Sequence, residues 1–252
     1  MKLFIWGDES DTLTEVESKT LDRLSLARET EHHVFRFAPG SPAAREIEDI
    51  AAEQEQAYEK LKALFGYELP EKIEYLLTAS PEENGAVLGE LFGGEGAYPI
   101  NGFSIAPKYV FAAYDDQVKC VGCHEVTHLF SYALCMPKSQ FLSEGLAMYT
   151  DGAFWGKPND RWVKAFLKDG RYVPLCELIS DESFFAHPTE ITYPIAGAFV
   201  AFLIEKLGAK RFLQEVYPSD MPLLENLGRC LDIHKDQIEA AFHAAVLAGE
   251  TP

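Results

Sequence analysis

The stretch His124-Glu125-Val126-Thr127-His128 constrains this chain more than any other. On an α-helix, residues four apart share one face about 6 Å from each other, so two imidazoles can converge on one metal ion. Glu125 then stands beside that ion, where a carboxylate can take a proton from a water whose pKa zinc lowers from about 15.7 to about 7. The geometry requires a helix, and the surrounding sequence agrees. Residues 121–133 hold no proline and a single glycine, with Val121, Val126, Leu129, Phe130 and Ala133 as an apolar back face. Two histidines packed within an internal helix are the plainer alternative, but such a helix gains nothing by burying a glutamate between them.

A zinc site of this kind needs a third protein ligand and an open position. The metzincin arrangement fails, because Ser131 and Leu134 stand where its glycine and histidine belong. Glu144 is the better candidate. It lies in Phe141-Leu142-Ser143-Glu144-Gly145-Leu146-Ala147-Met148-Tyr149, a second helical stretch beyond a turn at Met136-Pro137-Lys138. Ser143 is expected to cap this helix, and Gly145 either lets it approach the first one closely or is an accident of packing.

His-Glu-x-x-His followed by Ser-Glu-Gly-Leu-Ala-x-Tyr resembles the gluzincin metallopeptidases, in particular the compact bacterial peptidase-MA-like families. Further resemblance lies in Thr192-Tyr193-Pro194-Ile195-Ala196-Gly197-Ala198-Phe199-Val200 running into Leu203-Ile204-Glu205-Lys206-Leu207-Gly208. The likeness extends over about residues 30–250, with its strong motifs in 120–150 and 190–215. It implies an α+β zincin-like fold: a small mixed sheet with the active-site helix in an N-terminal lobe (about 1–135) and a mostly helical C-terminal lobe (about 136–252) of one catalytic domain. It also implies Zn2+ held by His124, His128 and Glu144, with Glu125 as general base. Tyr193 takes the oxyanion donor's role, and such donors contribute about 3 kcal/mol. His187, six residues earlier, is its rival.

Two departures from the family narrow the reading. The Gly-x-Met-Glu-Asn segment that binds a free amino terminus in the aminopeptidase branch is missing, which favours an endopeptidase. The nearest stretch, Tyr98-Pro99-Ile100-Asn101-Gly102-Phe103-Ser104-Ile105, is an edge-strand candidate able to pair with an extended peptide. The thermolysin-like branch carries an Asp four residues after the ligand Glu, but Met148 stands there. Asp151, seven after Glu144 and on the same helical face, can substitute as a partner for a ligand histidine or stand exposed beside Gly152.

Composition bounds the function classes. A chain of 252 residues, 47% hydrophobic, can bury a sizeable core. A formal charge of −18 argues against nucleic acid and anionic membrane surfaces, which need clustered Lys and Arg. No stretch approaches the roughly 20 apolar residues of a membrane span. Met1–Trp6 is too short for a secretory h-region, so a cytoplasmic protein is expected, or an exported one whose leader was removed. Five cysteines without a regular framework fit a reducing compartment. Cys120 and Cys123 form a Cys-x-x-Cys beside His124, read either as a structural metal pair or as apolar packing on the motif helix.

Taken in order, a helix is expected around residues 20–29, then a strand at His33-Val34-Phe35-Arg36-Phe37. Ser41 and Pro42 open a helix that ends at Gly66. Strands follow at 73–78, 100–105 and 109–113, with a loop or short helix over 80–89 and a cleft rim at Gly93-Gly94-Glu95-Gly96. Beyond Gly152 helices are expected at 161–168, 175–179, from 193 to Gly208, and at 209–216, 223–231 and 236–247. The resulting expectation is a zinc-dependent peptidase acting on peptide or protein substrates. The alternatives are a catalytically silent zincin scaffold that binds or regulates a partner, and a zinc hydrolase of a non-peptide amide.

Overall fold

Phe35, Tyr75, Leu77, Val110 and Ala112 are buried on neighbouring strands, and they mark the sheet around which residues up to 133 are built. The computed structural model describes residues 11–92 and 98–249; the apolar start at Met1–Trp6 and the proposed cleft rim at 93–96 lie outside them. The chain divides into two compact units, Met1–Ala133 and Leu134–Pro252. The architecture is α+β.

In the first unit, α1 (Asp11–Arg23) leads into β1 (Leu26–Glu29) and β2 (His33–Phe37). The helix expected over 20–29 is therefore displaced. Leu26–Glu29 has good helix formers, but it pairs antiparallel with β2, from Leu26 opposite Phe37 to Glu29 opposite Val34, and pairing outweighs a weak local preference. α2 (Pro42–Phe65) runs as expected: Ser41 Oγ accepts from Ala44 N–H, Pro42 opens the first turn, and Gly66 closes it at φ 80°. It buries Ile50, Ala51, Ala57, Tyr58 and Leu61 against the sheet.

β3 (Ile73–Thr78), α3 (Pro81–Phe92), β4 (Gly102–Ile105), β5 (Tyr109–Ala113) and α4 (His124–Leu134) follow. The order is β1-β2-β3-β5-β4, with β2, β3 and β5 parallel and β1 and β4 antiparallel at the edges. Both faces are covered. α2 and α4 pack with Phe35, Tyr75 and Val110 on one side, while Val16 of α1 and Val87 and Leu91 of α3 pack with Leu76, Phe103 and Phe111 on the other. A parallel core demands such double cover.

A polar knot ties β2 to α2. Thr30 Oγ1 donates to Glu55 Oε1 at 2.5 Å, His32 Nδ1 lies 2.6 Å from Oε2, and His33 Nδ1 lies 3.0 Å from Oε1. Burial pushes the Glu55 carboxyl up, but hydrogen bonds from His33, Thr30 and His32 outweigh it and draw it down to about 2. Burial also holds the His33 imidazole below its ordinary value, partly offset by Glu55. Both shifts have one sign. In each case the unfolded chain binds more protons, so stability falls as pH drops below about 6.5 through His33, then below about 4.5 through Glu55 until about pH 2. Glu55→Gln is expected to flatten the second of these limbs in urea melts between pH 5 and 3; an unchanged slope would remove Glu55 from the account.

The second unit begins with α5 (Gln140–Asp151), followed by a hairpin of β6 (Ala153–Phe154) and β7 (Lys157–Pro158). α6 (Asn159–Asp169), α7 (Leu175–Leu178), α8 (Asp181–Ala186) and α9 (Thr189–Leu207) come next. α10 (Ala209–Arg211) runs into a π-helical segment, Phe212–Val216, and α11 (Leu223–Leu231) and α12 (Ile238–Ala248) close the unit. α5 and α9 form its centre. A Cβ on Gly145 would lie 2.8 Å from both the Ala196 carbonyl oxygen and Val200 Cγ2, and one on Gly197 only 2.7 Å from Met148 Cβ, so each helix uses a glycine where the other presses on it. Gly145 thus serves the contact with α9.

Several expectations shift by a turn. Ser139, not Ser143, caps α5, accepting from Leu142 N–H at 3.4 Å. α6 starts at Asn159, two residues ahead of the expected 161, without a side-chain cap. α9 starts at Thr189, and Pro194 sits within it at the loss of one backbone hydrogen bond. Among the described residues no single helix is long and apolar enough to cross a membrane.

Candidate metal centre

The motif helix begins at His124, not at residue 121. Gly122 has φ 125°, outside the helical region, which sets Cys120 and Cys123 on the preceding loop and corrects their placement on the helix. The Cys123 carbonyl accepts from Thr127 N–H and from Thr127 Oγ1, each at 2.8 Å, fastening the first turn of α4. Val126, Leu129 and Phe130 are fully buried beneath the helix, and Tyr67 Oη donates to the Phe130 carbonyl. The helix is therefore pinned along its apolar side, and the polar motif residues occupy the remainder.

His124 and His128 fall one turn apart, their ring centroids separated by 5.1 Å at 78°. The His128 ring also stacks on Tyr132, 5.7 Å away at 17°. Glu144 projects from α5, whose ends are set by the Ser139 cap and by Gly152 at φ 78°. It is 7% exposed. One ligand atom from each of His124, His128 and Glu144 lies within 4.8 Å of the others, and among the described residues no other group of three His, Cys, Asp or Glu residues converges in this way. Two imidazole nitrogens and a carboxylate oxygen suit a borderline divalent transition ion such as zinc, and leave room for a fourth ligand.

Glu125 points to a different set of neighbours. Its Oε2 lies 2.9 Å from Ser104 Oγ, and its main-chain oxygen lies 2.7 Å from the same hydroxyl. A Cβ on Gly102 would come within 2.8 Å of Glu125 Oε1 and of Cys120 Sγ. Gly102 and Ser104 alternate with Phe103 and Ile105, so the β4 face toward α4 cradles the carboxyl while the other face packs with α3. Neither residue stands out in the sequence. The only signal was the edge-strand reading of 98–105, now realised as β4.

Tyr193, His187 and Asp151 all lie in the second unit. Tyr193 lies in the second turn of α9, half-buried, its ring stacked on Phe184 at 5.8 Å. His187 ends α8, with Nε2 3.9 Å from Glu177 Oε2. Asp151 is the last residue of α5 and is exposed. Cys120, Cys123, Cys135, Cys176 and Cys230 are all unbridged. No protein-family model matches the chain, and no curated protein is significantly similar to it.

Proposed function

We propose that this chain is a zinc-dependent peptidase of zincin architecture, an endopeptidase, in which His124, His128 and Glu144 hold the metal. The observation that carries the reading is the convergence of those three ligand atoms within 4.8 Å, with Glu125 next to the first of them in sequence. When bound there, zinc supplies Lewis acidity toward a carbonyl oxygen and toward water.

The residues of the chain divide the remaining work. Glu125 accepts the proton of the attacking water and passes it to the leaving amine, as a carboxylate next to the reacting atoms can. The Tyr193 hydroxyl donates a hydrogen bond to the developing oxyanion. Among the described residues β4 is an edge strand of the sheet, and an edge strand suits an extended peptide laid alongside it. The charge of −18 disfavours polyanionic substrates.

The test is metal content together with hydrolysis of casein and a quenched-fluorescence peptide library. About one equivalent of zinc per chain is expected, with internal cleavages that stop on adding 1,10-phenanthroline and return with zinc. Cleavage indifferent to the chelator, or a chain that takes up no zinc, would refute the proposal.

A further inference from the structure

Glu125 is 8% exposed and Ser104 is 6% exposed, so the hydrogen bond between them is largely screened from bulk water. Ser104 Oγ faces two acceptors, Oε2 at 2.9 Å and the main-chain oxygen at 2.7 Å, and both belong to Glu125. A serine hydroxyl carries one proton and can donate one such bond at a time. Rotation of the hydroxyl alone transfers its hydrogen bond from one acceptor to the other, with no heavy atom displaced. Either way the hydroxyl ties β4 to the residue that carries the carboxyl. Gly102 completes the seat, because any Cβ there would press on Oε1.

We propose that Ser104 is the positioning residue for Glu125, holding its carboxyl in one place against β4. This rests on the peptidase reading and adds to it a residue from a strand that carries none of the motif. Zinc affinity of Ser104→Ala, measured by chelator competition, is expected to stay within about twofold of the parent, since Ser104 is not a ligand. Turnover of the peptide library should fall about ten- to hundredfold in kcat with little change in KM, and Ser104→Thr should recover most of it.

Ser104→Cys, similar in shape but a weak donor, serves if the alanine variant does not fold. A parent that takes up no zinc and cleaves nothing would sink the peptidase reading and this role with it. A parent that binds zinc and cleaves, with the kcat of Ser104→Ala within about twofold of its own, would overturn the positioning role alone, as would a variant whose zinc affinity falls in step with its turnover.

Discussion

Glu125→Ala is expected to cut turnover of casein or a peptide library by about 10²–10⁴-fold while the zinc content of the purified protein stays at the parental level. The separation follows from where the side chain points. Glu125 is outside the converging trio, and its carboxyl is held between Ser104 and the gap left by Gly102. Truncation therefore removes a proton acceptor and no metal ligand. The fold has little reason to suffer, because Ser104 Oγ keeps the main-chain oxygen of residue 125 as an acceptor and no buried donor is orphaned. α4 also remains pinned by Val126, Leu129, Phe130 and the Tyr67 bond. Zinc analysis, circular dichroism and the cleavage assay on the same preparation decide the matter. A variant that cleaves at the parental rate shows that Glu125 is not the base, whatever metal is bound.

Much of the first unit was legible because its signals are local. Ser41, Pro42 and Gly66 bracket α2 with the residues that helix ends require, and the alternation in His33–Phe37 announces β2. What is hidden depends on pairing partners and backbone angles that the segment itself does not announce. Nothing within Leu26–Glu29 says that it will pair with 34–37, and its residues favour a helix when read alone. The β6–β7 hairpin has strands of two residues each and turns at Trp155 and Gly156, both at positive φ, where a glycine is ordinary and a tryptophan is not. The start of α4 was misplaced for a related reason: Gly122 reads as a tolerable glycine within a helix until its φ of 125° is known.

The candidate centre divides the same way. His124, Glu125 and His128 announce themselves by spacing on one helix, and Glu144 by its setting in the next. Ser104 and Gly102 stand 21 and 23 positions before Glu125 on an edge strand, and only the packing of β4 beside α4 makes them its neighbours. Sequence motifs record candidate residues by their local setting along the chain. They are silent about a hydroxyl that reaches a carboxylate from another one.

Glu144→Ala is expected to weaken zinc binding by about 10²–10³-fold. Structural zinc sites bind with about 10–16 kcal/mol in all, so each ligand accounts for about 3–4 kcal/mol, and about 1.4 kcal/mol corresponds to a tenfold change. The same loss should appear in thermal melts. At a zinc concentration about 100 times the parental Kd, binding stabilises the folded chain by about 2.7 kcal/mol; a hundredfold weaker site leaves about 0.4 kcal/mol of that. Added zinc should therefore raise the melting temperature of the parent and barely move that of the variant. Circular dichroism of the variant separates loss of the ligand from loss of the fold, and α5 keeps its Ser139 cap, Gly152 and the Gly145 contact with α9. If Glu144→Ala takes up zinc with parental affinity and the same thermal shift, the carboxylate near the two imidazoles is not a ligand. The histidine pair alone would then be too few ligands for the hydrolytic centre proposed.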